Sequence, residues 1–197
     1  FYYGGGEDLY KELVNNILKL NLTGVLYFPM PTQPLGWFKK EMKAGDDFKG
    51  MKYRTVGLSA DLFKEMGASV TILPGGEIVP AMDRGLLDSA EFNNPSSDIL
   101  LGFPDVSKIC MLQSYHQSAE TFEIMFNKPK YDALPEKMRA IIAGAVEAAS
   151  ADMSWKAIDR YSKDYIELQS KDKVKFYKTP DSVLQTQLKL WSAILEK

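Results

Sequence analysis

The sequence predicts an α/β fold in which short strands alternate with short helices before one long helix. Residues 24–29 form a short apolar run that ends at a proline, which is typical of a buried strand. Between residues 51 and 92, strand-like and helix-like segments alternate, and this order favours parallel pairing of the strands. Over residues 135–171, apolar residues recur every three or four positions, which predicts a helix longer than the globular average.

The individual elements follow from local patterns. We predict helices over residues 7–20, 60–66, 75–84 and from 181 onward, and strands over 24–29, 51–55, 69–73, 89–92, 108–113, 121–126 and 174–177. The first helix has an apolar face made by Leu9, Leu13, Ile17 and Leu20. Gly67 ends the second helix, since glycine readily adopts the left-handed conformation at a helix end.

Composition narrows the class of protein. The 197 residues are 45% hydrophobic, enough for one large domain or two small ones. A net charge of −2 gives no electrostatic reason to expect a nucleic-acid partner or an anionic membrane surface. No apolar run approaches the roughly 20 residues of a membrane-spanning helix. Cys110 is the only cysteine and lies in an apolar run, so we predict a buried, unreactive thiol and no disulfide within the chain.

An arginine and a carboxylate stand at the ends of two predicted strands. Arg54 ends the run GMKYR, and Glu91 lies in the later segment DSAEFNNP. Ligands of open α/β sheets bind beyond the carboxyl ends of the strands, where a guanidinium matches a carboxylate in bidentate fashion. Arg54 is therefore a candidate anchor for a small organic anion. Read singly, both residues also fit an ion pair, with Glu91 paired to Arg54 or to Lys52.

The order of these segments resembles the substrate-binding proteins of TRAP transporters, the DctP-like periplasmic receptors that hand carboxylate solutes to a membrane permease. The resemblance runs through DFKGMKYR, EMGA, PGGEIVPAM and RGLLDSAE and is collinear over nearly the whole chain. The segments QPLGWF and EF, which contain Trp37 and Phe92, are most similar to the branch that binds 2-oxo and 2-hydroxy monocarboxylates with a cation. That branch commonly has tryptophan where this chain has Phe92. A backbone carbonyl ligand survives this change, whereas the shape of the pocket alters.

The resemblance implies an α/β fold of the periplasmic-binding-protein type (type II-like) with long C-terminal helices. We expect three parts: residues 1–88 as a second α/β lobe, 89–128 as a cross-over segment that contributes to the first lobe and the cleft, and 129–197 as a long bridging helix, a strand and a C-terminal helix. The chain opens on Phe1, Tyr2 and Tyr3 without a signal-like segment. Because family members begin with a first lobe that has no counterpart here, we expect a C-terminal portion whose N-terminal lobe is largely missing.

The resemblance also implies a ligand set. The implied solute-binding residues are Arg54, Gln33, Asn93, Tyr115, Gln117 and Trp37. The implied cation ligands are Glu91, Phe92 through its carbonyl, Gln33 and Gln117. Oxygen ligands of this kind suit Na⁺ or Ca²⁺, and a bound cation lets an anionic solute lie beside Glu91 without unscreened repulsion. No prosthetic group is expected.

The implied function is periplasmic capture of a 2-oxo or 2-hydroxy acid for a TRAP permease, without catalysis. We also expect a homodimer held by residues 135–171 and 180–197, whose apolar positions exceed what a small lobe covers. Nucleic acid is not an expected partner.

Two alternatives stay open at this level. A small-acid enzyme would use Glu91 as base and His116, the only histidine, as acid. A fragment that only oligomerises would bind no solute. No activated-serine elbow surrounds any serine, and the glycines at 4–6 and 75–76 match neither phosphate-loop nor dinucleotide-binding spacings.

Overall fold

The computed structural model describes residues 3–196. Phe1 and Tyr2 of the opening segment, and Lys197 at the end of the predicted C-terminal helix, lie outside the described residues. The helices are α1 Gly6–Lys11, α2 Ser59–Glu65, α3 Gly75–Asp83, α4 Pro95–Leu101, α5 Phe103–Val106, α6 Lys128–Asp132, α7 Glu136–Ser170 and α8 Asp181–Leu195. The strands are β1 Leu22–Met30, β2 Gly36–Phe38, β3 Lys52–Arg54, β4 Ser69–Thr71, β5 Ser89–Ala90, β6 Ile109–Leu112, β7 Glu120–Asn127 and β8 Lys175–Lys178. A π-helical segment, Glu12–Ile17, continues α1, and a 3₁₀ turn spans Gly45–Phe48.

The chain forms two compact units. The first comprises Phe1–Met30 and Thr121–Lys156, and the second comprises Pro31–Glu120 and Ala157–Lys197. Helix α7, with 35 residues, contributes to both units and confirms the long helix predicted over 135–171. The predicted division at residues 88 and 128 concerns the lobes of a longer protein and stays a prediction.

The first unit is built on a two-stranded sheet of β1 and β7. Phe28 stacks on Phe122 with ring centroids 5.4 Å apart. The predicted first helix forms over residues 6–17, but its expected apolar face is not buried: Leu9 is 69% exposed and Ile17 is 65% exposed. A two-stranded sheet offers too little apolar surface to cover this face.

The second unit contains a six-stranded sheet in the order β4-β3-β5-β2-β6-β8. Strand β3 pairs in parallel with β4 and β5, and β6 pairs in parallel with β8, as the alternating pattern predicts. Strand β2 is the exception, because it runs antiparallel to both β5 and β6. Gly36 has a φ of +139°, and a methyl group there would lie 2.5 Å from the carbonyl oxygen of Ala90. Only glycine permits this close approach of β2 to β5.

Two apolar clusters cover this sheet, because successive residues of a strand point to opposite faces. Phe38 and Tyr53 belong to one cluster, which includes Val183 of α8. Trp37 belongs to the other, with Cys110 and Leu168 of α7. Cys110 is 1% exposed, and burial raises the pKa of its thiol well above the ordinary value. This agrees with the prediction of a buried, unreactive cysteine.

Three short helices were not predicted: α4, α5 and α6. Two of them carry a recognisable start, since Asn94 accepts a hydrogen bond from Ser97 N at 3.0 Å and Asn127 accepts one from Lys130 N at 3.2 Å. A proline stands in the first turn of each.

Among residues 3–196, none of the helices combines the length and the apolar character that a membrane span requires.

Candidate functional site

The parallel pairing of β3 and β5 brings Arg54 and Glu91 together. Arg54 lies opposite Ala90 in the sheet, and Glu91 is the next residue after β5. Arg54 Nη1 donates to Glu91 Oε1 at 3.0 Å and to the Glu91 carbonyl oxygen at 2.8 Å. Its Nε donates to the carbonyl oxygen of Leu73 at 3.0 Å. Arg54 is only 4% exposed and Glu91 only 2% exposed, so this is a buried ion pair.

Gln33, from the loop between β1 and β2, is the third member of the cluster. It is buried, and its Nε2 donates to Glu91 Oε2. Its Oε1 is also buried and has no hydrogen-bond partner among the described residues. Leaving such an oxygen unpaired costs about 1–3 kcal/mol. An unpaired carboxamide oxygen beside a carboxylate is the type of donor set that a hard cation prefers.

Phe92 completes the cluster on the side of the guanidinium. The Arg54 guanidinium carbon lies 5.8 Å from the centroid of the Phe92 ring, within the range of a cation–π contact. The ring packs against Gly75, the first residue of α3. A methyl group at position 75 would lie 2.6 Å from Phe92 Cε2, so a larger residue would collide with the ring. The absence of a side chain at Gly75 thus makes room for the aromatic ring.

Burial dominates the electrostatics of this site. It raises the pKa of Glu91, while the Arg54 charge and the Gln33 hydrogen bond act in the opposite direction. Burial also raises the pKa of Asp98 to about 7, against the hydrogen bond from Trp37. A buried carboxylate needs a countercharge, because its desolvation costs several kcal/mol. Arg54 supplies that charge to Glu91.

Of the remaining predicted residues, one contacts the cluster and two line cavities of the same unit. Gln117 adjoins it, since its carbonyl oxygen accepts a hydrogen bond from Gln33 N at 3.3 Å. Asn93 follows Phe92 in the chain, donates to Glu120 Oε2 at 2.7 Å and lines a cavity of about 410 Å³. Tyr115 lines a separate cavity of about 400 Å³. Neither Arg54 nor Glu91 lines these two cavities.

Trp37 is turned into the core rather than toward the cluster. It is 1% exposed, its ring stacks on Phe103, and its Nε1 donates to Asp98 Oδ2 at 2.8 Å. Among the described residues, neither Trp37 nor Tyr115 makes a hydrogen bond or ring contact with Arg54 or Glu91. Their roles in solute binding stay predictions.

His116 does not form an acid–base pair with Glu91. Its Nδ1 lies 2.6 Å from Ser114 Oγ, its ring packs edge-on against Phe63, and burial lowers its pKa to about 3. No contact between His116 and Glu91 occurs among the described residues. A histidine that stays neutral and buried at neutral pH is a poor general acid, so the geometry does not favour the enzyme alternative.

The sequence reading overlooked two buried polar residues. Asp98 is 2% exposed and holds the Trp37 indole. Gln187 of α8 is fully buried; it accepts from Tyr115 N at 2.9 Å and donates to Ser114 Oγ at 2.9 Å. The only sequence signal for Asp98 is that a buried tryptophan needs an acceptor.

Within residues 3–196, no group of three or more His, Cys, Asp or Glu side chains converges into a metal site.

The chain matches a known protein family and is similar to a protein of known location. The sequence model of the family described as bacterial extracellular solute-binding protein, family 7 (DctP), matches residues 5–196. A monocarboxylate 2-oxoacid-binding periplasmic protein of Nostoc sp. is 32% identical over 155 residues. The aligned region covers 77% of this chain and 41% of that protein.

Three solved structures share the fold over the whole of this chain. A TRAP periplasmic solute-binding protein of Colwellia psychrerythraea, with bound calcium and pyruvate, has a TM-score of 0.89 at 27% identity. Another from Pseudoalteromonas atlantica, with bound sodium and pyruvate, has a TM-score of 0.87 at 28% identity. A third from Bordetella bronchiseptica is a mixed-occupancy dimer with copurified calcium and picolinate, with a TM-score of 0.86 at 26% identity.

The matched region is a part of each of these proteins. The chain covers 59%, 59% and 58% of the three solved chains. It therefore spans less than two thirds of each relative. The α/β fold of the periplasmic-binding-protein type predicted from the sequence is confirmed by the structural likeness over all of this chain.

Proposed function

Because this chain belongs to family 7 of the bacterial extracellular solute-binding proteins, we propose that it binds a small carboxylate solute together with a cation. The family is one of binding proteins rather than enzymes, in agreement with the sequence prediction. The proposed setting is the periplasm, and the proposed recipient of the solute is a TRAP permease. Both are supported by the location and transporter type of the similar proteins.

The unpaired Gln33 Oε1 carries the proposal. It lies in a buried cluster with a carboxylate, Glu91, and a guanidinium, Arg54. A protein interior rarely leaves such an oxygen without a partner unless a ligand or ion uses it. Gln33, Glu91 and the Phe92 carbonyl would hold the cation, which supplies charge compensation for the anionic solute. Gln117 is the proposed fourth ligand.

Arg54 is the proposed anchor of the solute carboxylate. Its guanidinium has five N–H donors, of which three are used by Glu91 and Leu73 in this structure. A solute that draws Arg54 toward itself weakens the Arg54–Glu91 pair and leaves the Glu91 charge less compensated. A cation at Glu91 restores the compensation. Solute and cation should therefore strengthen each other's binding by the same factor.

The proposed solute class is a carboxylate with a second donor atom on the adjacent carbon. Pyruvate in two similar structures has a 2-oxo oxygen there, and picolinate in the third has a ring nitrogen. Such a molecule can chelate a cation while one carboxylate oxygen remains on Arg54. This chemistry fits 2-oxo and 2-hydroxy acids, and Asn93, Tyr115 and Trp37 are the proposed determinants of solute shape.

Titration calorimetry tests the proposal. Pyruvate and lactate are titrated with and without Ca²⁺ or Na⁺, and propionate, which lacks the second donor, is the matched control. We expect the cation to tighten pyruvate binding by about tenfold or more, consistent with coupling energies of roughly 1–3 kcal/mol, and to leave propionate weak.

The other outcomes separate the alternatives. Chemical conversion of pyruvate by the pure protein, followed by NMR, would favour the enzyme reading with Glu91 and His116. Absence of binding under every condition would favour a fragment that only assembles. Pyruvate binding that does not respond to any cation would remove Gln33, Glu91 and Phe92 as a cation site and leave Arg54 as the anchor.

A further inference from the structure

Asp98 is a buried carboxylate with no part in the binding proposed above. It lies in the first turn of α4 and is 2% exposed. Its Oδ2 accepts a hydrogen bond from Trp37 Nε1 at 2.8 Å, and its Oδ1 accepts one from the backbone N–H of Asn93 at 3.4 Å. A carboxylate accepts but does not donate, so both oxygens suit these two donors.

The second of these bonds fixes a peptide unit that matters for the cation. No peptide bond in the described residues is cis. In a planar trans peptide, the N–H of one residue and the C=O of the preceding residue point in opposite directions. The N–H of Asn93 and the C=O of Phe92 belong to the same plane. A contact that holds the Asn93 N–H toward Asp98 therefore holds the Phe92 carbonyl away from it.

We infer that Asp98 is a positioning residue that orients the Phe92 carbonyl for the cation, an inference that rests on the proposed function. Two features of the surroundings support this role. Asn93 is held independently by its side chain, which donates to Glu120 Oε2 at 2.7 Å. Asn94 caps α4, and its carbonyl oxygen accepts from Asp98 N at 2.9 Å. The segment after β5 is thereby held to Glu120, the first residue of β7, through Asn93 and to α4 through Asn94.

A simpler role for Asp98 is to satisfy the buried Trp37 indole alone. The two roles make different predictions, because they use different oxygens of the same carboxylate. Trp37→Phe removes the indole donor and leaves the Asp98–Asn93 contact. Asp98→Asn keeps the size of the side chain but places an NH₂ group against one of two donors. Asp98→Ser is a second variant that removes this conflict and supplies one acceptor at most.

Calcium binding in the presence of saturating pyruvate separates the variants. We expect Asp98→Asn and Asp98→Ser to bind Ca²⁺ about 10–100-fold more weakly, the usual effect of losing a group that orients a metal ligand. Trp37→Phe loses core packing but not the peptide orientation, so it should weaken Ca²⁺ binding less than either Asp98 variant does. Thermal midpoints of all four proteins show which variants are folded at the assay temperature.

A readout without any ligand completes the test. Hydrogen exchange of the Asn93 amide, measured by NMR, should be slow in the wild type and Trp37→Phe and faster in both Asp98 variants. Calcium affinities of the Asp98 variants equal to the wild type would overturn the inference and leave the proposed function standing. Absence of calcium binding by the wild type would instead overturn the proposed cation site. Equal hydrogen-exchange rates of the Asn93 amide in all four proteins would show that Asp98 does not hold this peptide.

Discussion

Arg54 makes three hydrogen bonds inside the protein, two to Glu91 and one to the carbonyl of Leu73. These bonds use Nε and Nη1 and fix the plane of the guanidinium. They leave the two N–H groups of Nη2 without a hydrogen-bond partner among the described residues. A fixed plane with free donors is a pre-organised anchor, because little side-chain entropy remains to be lost when a carboxylate binds.

Arg54→Lys should weaken pyruvate binding by about 1–3 kcal/mol, because an ammonium group lacks the planar set of donors that holds Glu91 and Leu73 and still leaves donors for a solute carboxylate. The measurement is calorimetry with pyruvate and Ca²⁺. Arg84→Lys, at the exposed end of α3, is the matched control and should bind as the wild type does. Equal affinities for both variants would remove Arg54 from the site.

Glu91→Gln should remove the response to cations more than it harms the fold. The carboxamide keeps an oxygen that accepts a hydrogen bond from Arg54 but lacks the charge that holds a hard cation. With wild type at a Ca²⁺ concentration about 100 times Kd, the native state should gain about 2.7 kcal/mol, and the thermal midpoint should rise. The variant should show no such rise. An unchanged midpoint for the wild type would argue against a cation at Glu91.

His116 should make the native state less stable in acid. Its folded-state pKa is lowered to about 3 by burial, against an ordinary value of 6.5. A lowered folded pKa contributes stability that is complete above about pH 6.5 and is lost as pH falls toward 3, by up to about 1.4 kcal/mol per pH unit. Asp98 has its pKa raised to about 7, and its effect on stability is opposite to that of His116. Its contribution to the stability of the native state is lost as pH rises from about 4 to 7.

The difference between wild type and His116→Asn isolates the histidine. Denaturant unfolding at several pH values should show that the wild type loses stability relative to the variant as pH falls from 6.5 to 4, because only the wild type must charge a buried imidazole. As His116 is the only histidine, its ring protons can be followed directly by NMR. Titration of those protons near pH 6.5 in the folded protein would contradict the prediction.

Two adjacent glycines at the start of α3 have different roles in this element. A methyl group at Gly75 would lie 2.6 Å from the Phe92 ring, whereas nothing lies within 4 Å of one at Gly76. Gly75→Ala should therefore destabilise the protein by about 1–3 kcal/mol or displace Phe92. Gly76→Ala should stabilise it by about 0.5–1 kcal/mol, because alanine favours the helix.

Denaturant unfolding of the two glycine variants gives the stabilities, and calorimetry with pyruvate and Ca²⁺ gives the effect on the site. We expect only Gly75→Ala to weaken binding, through the shifted Phe92. Similar behaviour of both variants would mean that the ring moves freely to accommodate the added methyl group.

Helix α8 is tied into the second unit more firmly than its sequence pattern indicates. Val183 and Gln187 are fully buried, and Trp191 Nε1 donates to the carbonyl oxygen of Tyr115 at 2.7 Å. Trp191 also packs against the core cluster of Phe38 and its neighbours. This side of α8 therefore holds the loop that follows β6. The Trp191 indole thus finds a hydrogen-bond partner within the same unit.

At the scale of the whole molecule, α7 carries several exposed apolar side chains. Trp155 is 75% exposed and Ile166 is 65% exposed, and they lie about three turns apart on one side of the helix. Large exposed apolar groups in such an arrangement are typical of an interface. A dimer is described for the similar protein of Bordetella bronchiseptica. The homodimer expected from the sequence stays a proposal for this chain.

Light scattering at micromolar concentration should give the mass of a dimer. Trp155→Lys combined with Ile166→Lys should shift the protein toward the monomer, because a buried apolar contact would be replaced by two charges. Leu100→Lys, a residue 86% exposed on α4, is the matched control. Point variants are preferable to removal of α8, whose Val183 belongs to the core. A monomeric wild type would refute the proposal, and a dimer unaffected by the double variant would place the interface elsewhere.

The sequence predicts the features that depend on local pattern. The alternation of strand-like and helix-like segments predicted strands over 51–55 and 89–92, where β3 and β5 lie, and periodicity of 3.6 predicted α7 to within a residue at each end. The parallel order of β3 and β5 then follows from their position along the chain, and it brings Arg54 and Glu91 together. Contacts that a sheet imposes on strand ends can therefore be anticipated from one sequence.

Contacts between segments that are distant in the sequence could not be predicted, because no local pattern specifies which segments pair. The antiparallel insertion of β2 turns Trp37 into the core and onto Asp98, and the packing of α8 buries Gln187. Neither partner is marked by a motif, because an isolated Asp or Gln reads as a surface residue until the fold removes it from water. The exposed face of Leu9 and Ile17 is a similar case, since amphipathic spacing shows which residues share a face but not whether anything covers it.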